Sequence, residues 1–392
     1  MGVMASSTLQ KSKIATKQQK KVADFFAGIG LVSLGLEDAG WKTIYALDYE
    51  KEKEAAYVNH FGPGHYHTLD IATAKGADVP DVLLAHASFP CTDLSVAGAR
   101  RGINQGESSA FWHFVRILSE MKDAHGHGRP PFVLLENVEG LLTSNNGQDL
   151  KSALKALNDL DYRVDLMRID ASHFVPQSRV RIFIMGIHES IAENFDNNSL
   201  LQEHSLRSSN ARPKKIIDYV AQNLNLNWYF HPLPNLPERK ISLVQIIDPV
   251  AEWWPKEKAQ YLYNQMHSYH RELIDKEIKG SEYKYYPAFR RMRERDGKPQ
   301  STAELRTDGI AGCLRTPKGG SARQIIVRVG KGGFDARLIN GVEAARLMGA
   351  DRFKLNDELS LNQILFGFGD AVCVPAIEWI GRNYLDPLYE TI

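Results

Sequence analysis

A thiol, a carboxylate and two guanidinium groups are the side chains of this 392-residue sequence that could do chemistry together. Cys91 ends a Ser-Phe-Pro-Cys run, and Glu136 opens a Glu-Asn-Val run. Arg179 and Arg181 lie in a later Gln-Ser-Arg-Val-Arg run. A thiolate adds to electron-poor carbon, a carboxylate exchanges protons, and guanidinium groups stabilise negative charge. Together these are the groups needed to activate a pyrimidine base.

Each of these groups also has an ordinary structural explanation. Buried structural thiols are commoner than nucleophilic ones, and a thiol with a pKa of about 8.5 needs nearby cations to form a thiolate at neutral pH. Glu136 could be a solvated carboxylate at the end of a strand. Gln177, Arg179 and Arg181 alternate along the chain, so an extended segment would place them on one face. Three long polar side chains on one face predict that they share a polar target. The alternative is that they lie on the solvated face of an edge strand.

A glycine-containing loop at residues 24–30 follows a predicted strand and opens a predicted helix. Gly28 and Gly30 let the backbone approach a ligand closely, and a helix N-terminus offers free N–H groups. The spacing is not Gly-x-Gly-x-x-Gly, so a dinucleotide is not implied. Asp48 ends the next predicted strand, where a ribose diol would be held. The alternative is a loop whose glycines serve only the packing of a strand–turn–helix unit.

Strands alternating with helices must position these residues. Predicted strands cover residues 21–26, 43–48, 82–87, 132–136 and 181–186, and predicted helices cover residues 31–39, 50–60, 111–122 and 150–160. This alternation predicts an α/β fold with a doubly wound, mostly parallel sheet. The pattern breaks after about residue 186, and helical periodicity returns at residues 341–348 and 370–383. We therefore expect a second, irregular domain between the two regular regions.

Length and composition place the chain among soluble globular proteins of about two domains, with 43% hydrophobic and 24% charged residues. No apolar run approaches the roughly 20 residues of a membrane span, and the lysine-rich N-terminus lacks the apolar segment of a secretory signal. The three cysteines are widely spaced, which fits neither a disulfide framework nor a zinc site. These observations predict a cytoplasmic protein without a metal.

Positive charge is concentrated in one part of the chain. Residues 279–331 hold 13 Lys and Arg against five Asp and Glu, whereas the whole chain has a net charge of only +1. Such asymmetry predicts a surface that faces a polyanion, with a solvated basic face as the alternative.

Taken in order, the motifs resemble the cytosine-5 DNA methyltransferases of the bacterial and phage modification type, from about residue 22 to the C-terminus. The family's Gly-Phe-Pro-Cys-Gln-x-Phe-Ser motif appears as residues 88–95, and its Glu-Asn-Val and Gln-x-Arg-x-Arg motifs are intact. Around the nucleophile, Ser88, Thr92 and Leu94 replace the usual Gly, Gln and Phe of the family, and Glu107 stands where an Arg is common before the helix at Phe111. Asp370 stands where the family has Asn, and could repel the carboxylate of the cofactor.

The resemblance implies transfer of a methyl group from S-adenosylmethionine to C5 of a cytosine that has left the duplex. Cys91 would add to C6, and Glu136 would hold N3 and the exocyclic amine. Arg179 and Arg181 would stabilise charge at O2 and orient Glu136. The residues implied to bind the cofactor are Phe26, Gly28, Gly30, Asp48, Tyr49, Asp70, Ile71, Pro90, Asp370 and Val372.

The resemblance also implies a division of the chain. We expect a flexible leader at residues 1–20, a catalytic and cofactor-binding domain at 21–190 and 336–392, and a target-recognition domain at 191–335. The predicted DNA contacts are Ser95, Gln177, Arg290, Arg291, Arg293, Arg315, Lys318, Ser321 and Arg323. We assign the arginine cluster at 290–293 to phosphates and Arg315 to base edges, in a reading loop at residues 315–321. A basic turn without base contacts is the alternative for that loop.

Two other functions are open at this point. A transfer-RNA cytosine-5 methyltransferase has the same fold and shares Ser88, but its Pro-Pro-Cys core and Cys-Phe-Thr motif are not found here. A non-catalytic DNA-binding module would be expected to lose Cys91 or Glu136, and both are present. For the enzyme we expect a monomer in the cytoplasm, associated with the nucleoid through DNA, with room for a restriction or defence partner.

Overall fold

A computed structural model describes residues 18–90, 109–124, 128–193, 204–207, 209–295, 298–316 and 323–392. Most of the predicted leader therefore lies outside the described residues. The first sheet consists of β1 (Lys21–Phe25), β2 (Lys42–Asp48), β3 (Tyr66–Thr68), β4 (Leu84–Ala87), β5 (Phe132–Val138), β6 (Tyr162–Asp170) and β7 (Val180–His188). Their order is β3-β2-β1-β4-β5-β7-β6. Strands β1 to β5 pair in parallel, and β7 is antiparallel to both β5 and β6. The predicted mostly parallel α/β sheet is confirmed.

Helices cover both faces of this sheet, and others pack against the rest of the chain. They are α1 (Leu31–Asp38), α2 (Lys51–Phe61), α3 (Ala110–Ala124), α4 (Gln148–Asn158), α5 (Glu189–Ala192), α6 (Lys214–Ala221), α7 (Leu243–Ile246), α8 (Lys256–Asn264), α9 (Ser268–Glu277), α10 (Gly341–Leu347), α11 (Leu361–Asp370), α12 (Val374–Ile380) and α13 (Asp386–Tyr389). Alternate residues of β5 pack in two different hydrophobic clusters, Val133 with α3 and α4, and Phe132 with α1 and α12. Burial on both faces explains why β5 begins with an unbroken apolar run.

The predicted helix at residues 370–383 is wrong at its start. Asp370 ends α11, Ala371 is extended with ψ 175°, and α12 begins at Val374 with Pro375 in its first turn. Proline suits the first turn of a helix because its missing N–H would have no partner there. The stretch Leu361–Tyr389 is long and apolar enough to pass a composition test for a membrane span, but 67% of its most apolar window is buried inside the protein. Such burial is typical of a core helix.

The second sheet lies where the sequence predicted irregular structure. It contains β8 (Lys284–Arg295), β9 (Lys298–Leu305), β10 (Ile325–Gly330) and β11 (Gly333–Leu338), in the order β11-β10-β8-β9 with antiparallel pairing throughout. Helices α8 and α9 pack on it around a separate hydrophobic cluster. The prediction of irregular structure is wrong here, because Pro287 and a run of arginines hide the strand pattern of β8.

Part of the segment assigned to the second domain packs against the first sheet, and the predicted domain boundaries stay a prediction. Residues 204–236 contribute to the core of the first sheet, with Trp228 bridging Val164 and Ala211 bonded through its carbonyl to the N–H of Arg168. The predicted boundary between residues 335 and 336 cuts through β11. A buried charge explains why residues 204–236 pack there. Asp165 of β6 is 0% exposed and pairs with Arg212 at 2.5 Å, so the inserted segment that carries Arg212 must return to the first sheet.

Candidate active site

An ion pair lies between β5 and β7. Glu136 is only 6% exposed, and Arg181 Nε lies 2.7 Å from Glu136 Oε1. In the antiparallel register Glu136 faces Phe183, so Arg181 is its diagonal neighbour on the same face of the sheet. The buried carboxylate is therefore held by a cation, an arrangement suited to an acid–base group.

Arg179 has a different environment from Arg181. It is 2% exposed, and it donates to Leu314 O at 2.9 Å, to Gly369 O at 3.0 Å and to Ala371 O. Burial first, and then repulsion by Arg181, lowers the pKa of Arg179. The implied contact of Arg179 with the base and with Glu136 stays a prediction. Its guanidinium joins two loops of the protein.

Gln177 is also buried rather than presented to a ligand. Its side chain is 0% exposed, with Nε2 donating to Leu347 O at 2.7 Å and Oε1 accepting from Leu314 N at 2.9 Å. The predicted DNA contact of Gln177 stays a prediction, although both polar atoms of its side chain have partners within the chain. The alternation did not place Gln177 on a solvated face because the segment forms a bridge to Ala311, which packs it inside the protein.

A hydrogen bond from β5 fixes the peptide that precedes Cys91. Cys91, Ser95 and Glu107 lie outside the described residues, but Phe89 and Pro90 lie within them. Asn137 Nδ2 donates to Phe89 O at 3.1 Å, so the Glu-Asn-Val motif anchors the chain two residues before Cys91. Sequence reasoning gave Asn137 no role; its place beside Glu136 in an intact motif was the available signal.

A buried polar chain runs beneath the same peptide. His86 Nδ1 lies 2.7 Å from Asp24 Oδ1, with both side chains 0% exposed, and His86 Nε2 lies 3.2 Å from Ser88 Oγ. Ser33 Oγ donates to Asp24 Oδ2 at 3.0 Å. These contacts tie the ends of β1 and β4 together. The sequence analysis did not identify His86, which looks like an ordinary residue of an apolar strand.

The glycine loop after β1 forms one wall of a crevice. Phe26 and Gly28 have φ values of 60° and 57°, and Gly28 N donates to Asp48 Oδ2 at 2.9 Å. Glu50 N donates to Asp48 Oδ1 at 3.0 Å, which fixes both carboxylate oxygens. Burial outweighs attraction by Lys53 and these two N–H groups, and so raises the pKa of Asp48. A left-handed non-glycine residue such as Phe26 is strained, a feature common at ligand sites.

Most of the predicted cofactor residues end or follow the neighbouring strands β1, β2 and β3. Tyr49 is 60% exposed although it is aromatic, which suits stacking on a flat base. Asp70 is exposed, while Ile71 is buried beside it. A Cβ added at Gly28 would meet no atom closer than 3.9 Å, so that side of the loop is open. Val372 is buried within the core.

Asp370 has a cationic neighbour that the sequence did not reveal. Lys53 Nζ lies 3.1 Å from Asp370 Oδ2 and 2.9 Å from Glu50 Oε1. Burial lowers the pKa of Lys53, but attraction by Asp48 and Asp370 is stronger, so the net effect raises that pKa. The Asp that replaces the family's Asn is thus partly neutralised within the chain.

Among the predicted DNA contacts, Arg290, Arg291 and Arg293 lie on strand β8 of the second sheet. Arg291 and Arg293 approach Glu304 at 3.8 and 2.8 Å, and Arg290 Nε donates to Gln265 at 3.0 Å. The excess charge of this region is therefore partly compensated. Arg323 donates to Asn362, Arg315 is exposed, and Lys318 and Ser321 lie outside the described residues. Among the described residues, no group of three or more His, Cys, Asp or Glu side chains could hold a metal.

Comparison with known proteins places these observations in a family. The model of the C-5 cytosine-specific DNA methylases matches residues 20–386. Type II methyltransferase M.BsuFI of Bacillus subtilis is 34% identical over 172 residues, which are 44% of this chain and 40% of that protein. Type II methyltransferase M.Bsp6I of Bacillus sp. strain RFL6 is 34% identical over 170 residues, covering 42% of this chain and 51% of that protein. The matched stretch spans about half the length of these relatives.

Solved structures show the same fold over nearly the whole chain. An Entamoeba histolytica methyltransferase, EhMeth, has a TM-score of 0.62 and 13% identity, covering 95% of this chain and 98% of that one. The Dnmt2 methyltransferase of S. pombe has a TM-score of 0.56 and 14% identity, covering 94% and 99%. At these identities the likeness concerns the fold alone.

Proposed function

The chain belongs to the C-5 cytosine-specific DNA methylase family, and we propose that it methylates C5 of a cytosine in duplex DNA with S-adenosylmethionine as donor. The observation that carries this proposal is the buried Arg181–Glu136 pair, 2.7 Å apart, on strands β7 and β5 of the sheet in which β1 leads into the glycine loop. A base held at the carboxylate would lie next to a methyl donor held by that loop.

Cys91 is proposed as the nucleophile on the evidence of its motif, since it lies outside the described residues. The target base must leave the stack, because C6 is not accessible to a thiolate inside the duplex. The thiolate would then add to C6 and form a covalent bond. The hydrogen bond from Asn137 to Phe89 O supports this role, because it fixes the chain that leads to the thiol.

Glu136 would hold N3 and the exocyclic amine of the cytosine, and assist protonation at N3 as electrons move into the ring. Arg181 would orient this carboxylate and stabilise charge at O2. The electron-rich C5 takes the methyl group; loss of the C5 proton then restores the double bond and expels the Cys91 thiolate. Arg179 contributes only as a positioning residue.

S-adenosylmethionine would supply an electrophilic methyl group. Asp48 would accept hydrogen bonds from the ribose hydroxyls, since its two oxygens are oriented by Gly28 N and Glu50 N. Phe26, Tyr49 and Ile71 would pack against the adenosine, and Asp70 would accept from the adenine amino group. These side chains therefore suit S-adenosylmethionine as the cofactor.

Duplex DNA is the proposed partner, and the names of the type II relatives support a place in a modification system. The second sheet and Arg315 are proposed to contact the duplex. A cytoplasmic monomer, with or without a restriction nuclease, remains the proposal made from the sequence.

The test is methyl transfer from S-adenosylmethionine to duplex DNA and, in parallel, to transfer RNA. We expect methylation of DNA only, located by bisulfite sequencing, and a covalent adduct on duplexes that contain 5-fluorocytosine. Methylation of transfer RNA alone, or DNA methylation without an adduct, would contradict the proposal. A Glu136→Gln variant with intact S-adenosylhomocysteine binding is the matched control for chemistry.

A further inference from the structure

We propose that Ser88 is a further catalytic residue, which takes the C5 proton of the methylated base, and that His86 and Asp24 are its positioning residues. The inference rests on the proposed function and deepens it, because the loss of the C5 proton requires an acceptor. Ser88 stands where the family usually has Gly, so this chain has a hydroxyl at a position where that pattern has no side chain.

The register of the first sheet places Ser88 beside Glu136. His86 of β4 is paired with Asp24 of β1 on one side and with Leu134 of β5 on the other. Side chains two residues apart on a strand point to the same face, so Ser88 and Glu136 follow next to each other on that face. The residues that come after Asp24 on β1 lead into the glycine loop. A base held at Glu136 would therefore have Ser88 as its neighbour on the side of that loop.

Asp24 fixes the orientation of the His86 ring. Ser33 Oγ donates to Asp24 Oδ2 at 3.0 Å, and His86 Nδ1 lies 2.7 Å from Asp24 Oδ1. Because a carboxylate only accepts hydrogen bonds, Nδ1 carries the ring proton and Nε2 is left as an acceptor. Nε2 lies 3.2 Å from Ser88 Oγ, so the hydroxyl of Ser88 donates to His86. The oxygen of Ser88 keeps lone pairs that can accept a proton.

This arrangement can move the C5 proton without leaving an uncompensated charge. After methyl transfer, Ser88 Oγ takes the proton from C5 while its own hydroxyl proton passes to His86 Nε2. The electrons of the broken C5–H bond form the C5–C6 double bond, and the sulfur of Cys91 leaves as a thiolate. His86 becomes an imidazolium, and its positive charge lies next to the Asp24 carboxylate. Solvent removes the extra proton through Ser88 once the product has left.

Packing alone does not explain these three side chains. Asp24 and His86 are both 0% exposed, and the neighbours of His86 on β4, Ala85 and Ala87, are buried and apolar. Burying an acid and an imidazole costs desolvation energy that apolar side chains at the same positions would not. The second ring nitrogen of His86 bonds to a half-buried hydroxyl at the end of the strand, rather than to a group in the core. This arrangement suits proton transfer at a ligand site.

The test separates loss of the C5 proton from transfer of the methyl group. Single turnovers are quenched with duplex DNA that carries tritium at C5 of cytosine, and with S-adenosylmethionine that carries radioactive carbon in its methyl group. For Ser88→Gly we expect tritium release to slow by roughly 100-fold or more, the lower range for a positioned acid–base group. Methyl incorporation should change far less, because it comes before the step that Ser88 assists.

The slowed step should also leave a trapped intermediate. Methylated DNA should remain covalently attached to Ser88→Gly on a denaturing gel, although the duplex contains only ordinary cytosine. Ser152→Ala on helix α4 is the matched control, and it should release tritium as fast as wild type without an adduct. His86→Gln should give the same adduct as Ser88→Gly. Thermal unfolding checks that each variant is folded.

An unchanged rate of tritium release in Ser88→Gly would overturn this inference and leave the proposed function intact. The same holds if tritium release and methyl incorporation slow equally and no adduct forms, since Ser88 would then act before the proton is lost. Failure of the wild-type chain to methylate duplex DNA would overturn both. Ser88→Gly decides the question by itself, because its side chain is half-buried and the substitution introduces the residue that the family usually has.

Discussion

Arg179 and Arg181 lie two positions apart in one motif, but they have different roles because their surroundings differ. Arg181 pairs with Glu136 of β5, whereas Arg179 is buried and bonded to backbone carbonyls. A mutation at either site should reduce activity. Only the accompanying change in stability separates the two roles.

Arg179→Lys should destabilise the protein by about 3 kcal/mol, because one ammonium cannot replace the forked guanidinium and leaves buried carbonyls without donors. Arg181→Lys should leave stability within about 1 kcal/mol and lower turnover instead. Denaturant unfolding and single-turnover methylation measure the two effects. Similar stability losses in both variants would contradict the assignment.

Cys91→Ser should abolish methylation and largely spare DNA affinity, because a hydroxyl of similar size is a far weaker nucleophile at neutral pH. Turnover and DNA binding would be measured side by side on the same preparation. Retention of more than about a tenth of wild-type turnover would mean that Cys91 is not the nucleophile, since tenfold corresponds to only about 1.4 kcal/mol.

At the scale of elements, the loop that begins at residue 311 connects the second sheet to the segment before β7. It pairs with the segment before β7 through Ala311 and is bonded by Arg179 and Gln177 at Leu314. Beyond that anchor Arg315 is exposed, in contrast with Arg291 on strand β8. An anchored loop can present a side chain precisely to a base edge, whereas a strand with several arginines suits the regular spacing of phosphates.

Arg291→Ala should therefore weaken binding to all duplexes alike and reduce the slope of affinity against salt concentration by roughly 0.9. Arg315→Ala should instead narrow the gap between cognate and non-cognate duplexes, by roughly 1–3 kcal/mol. Competition binding at several salt concentrations distinguishes them. A uniform loss of affinity for Arg315→Ala would remove it from base recognition.

At the scale of the whole molecule, one buried cluster joins three distant parts of the chain. Asp165 of β6 accepts from Arg212 and from Tyr384 OH, at 2.5 and 2.7 Å, and from His231 N at 3.2 Å. The inserted segment and the C-terminal region therefore fold onto the first sheet together. Breaking such a cluster by removing one partner is strongly destabilising.

The cluster also predicts a dependence of stability on pH. Burial lowers the pKa of His231 to about 4, from 6.5, so the folded state favours the neutral ring. The stabilisation is complete above about pH 6.5 and is lost as pH falls towards 4, by at most about 3 kcal/mol. His231→Asn should remove this part of the pH dependence. Urea unfolding between pH 7 and pH 4 tests it, with exposed His204→Asn as control; equal slopes in wild type and His231→Asn would disprove it.

The sequence by itself determined the parallel sheet and the family, because both depend on patterns of residues that are close along the chain. Apolar runs such as Phe132 to Leu135 belong to strands buried on both faces, and the motifs at Glu136 and Gln177 are short and intact. It also identified Arg181, whose position follows from strand geometry. These features depend on neighbours close along the chain.

Only the tertiary structure decided which motif residues are buried and which side chains pair with the charged ones. Gln177 and Arg179 match a motif perfectly yet are buried, because a loop more than 130 residues later covers them. Lys53 neutralises Asp370 from 317 residues away, and Arg212 brings the inserted segment back to Asp165. Ion pairs and buried hydrogen bonds require contact in space, and spacing along a sequence does not encode contacts made by chain folding over such distances.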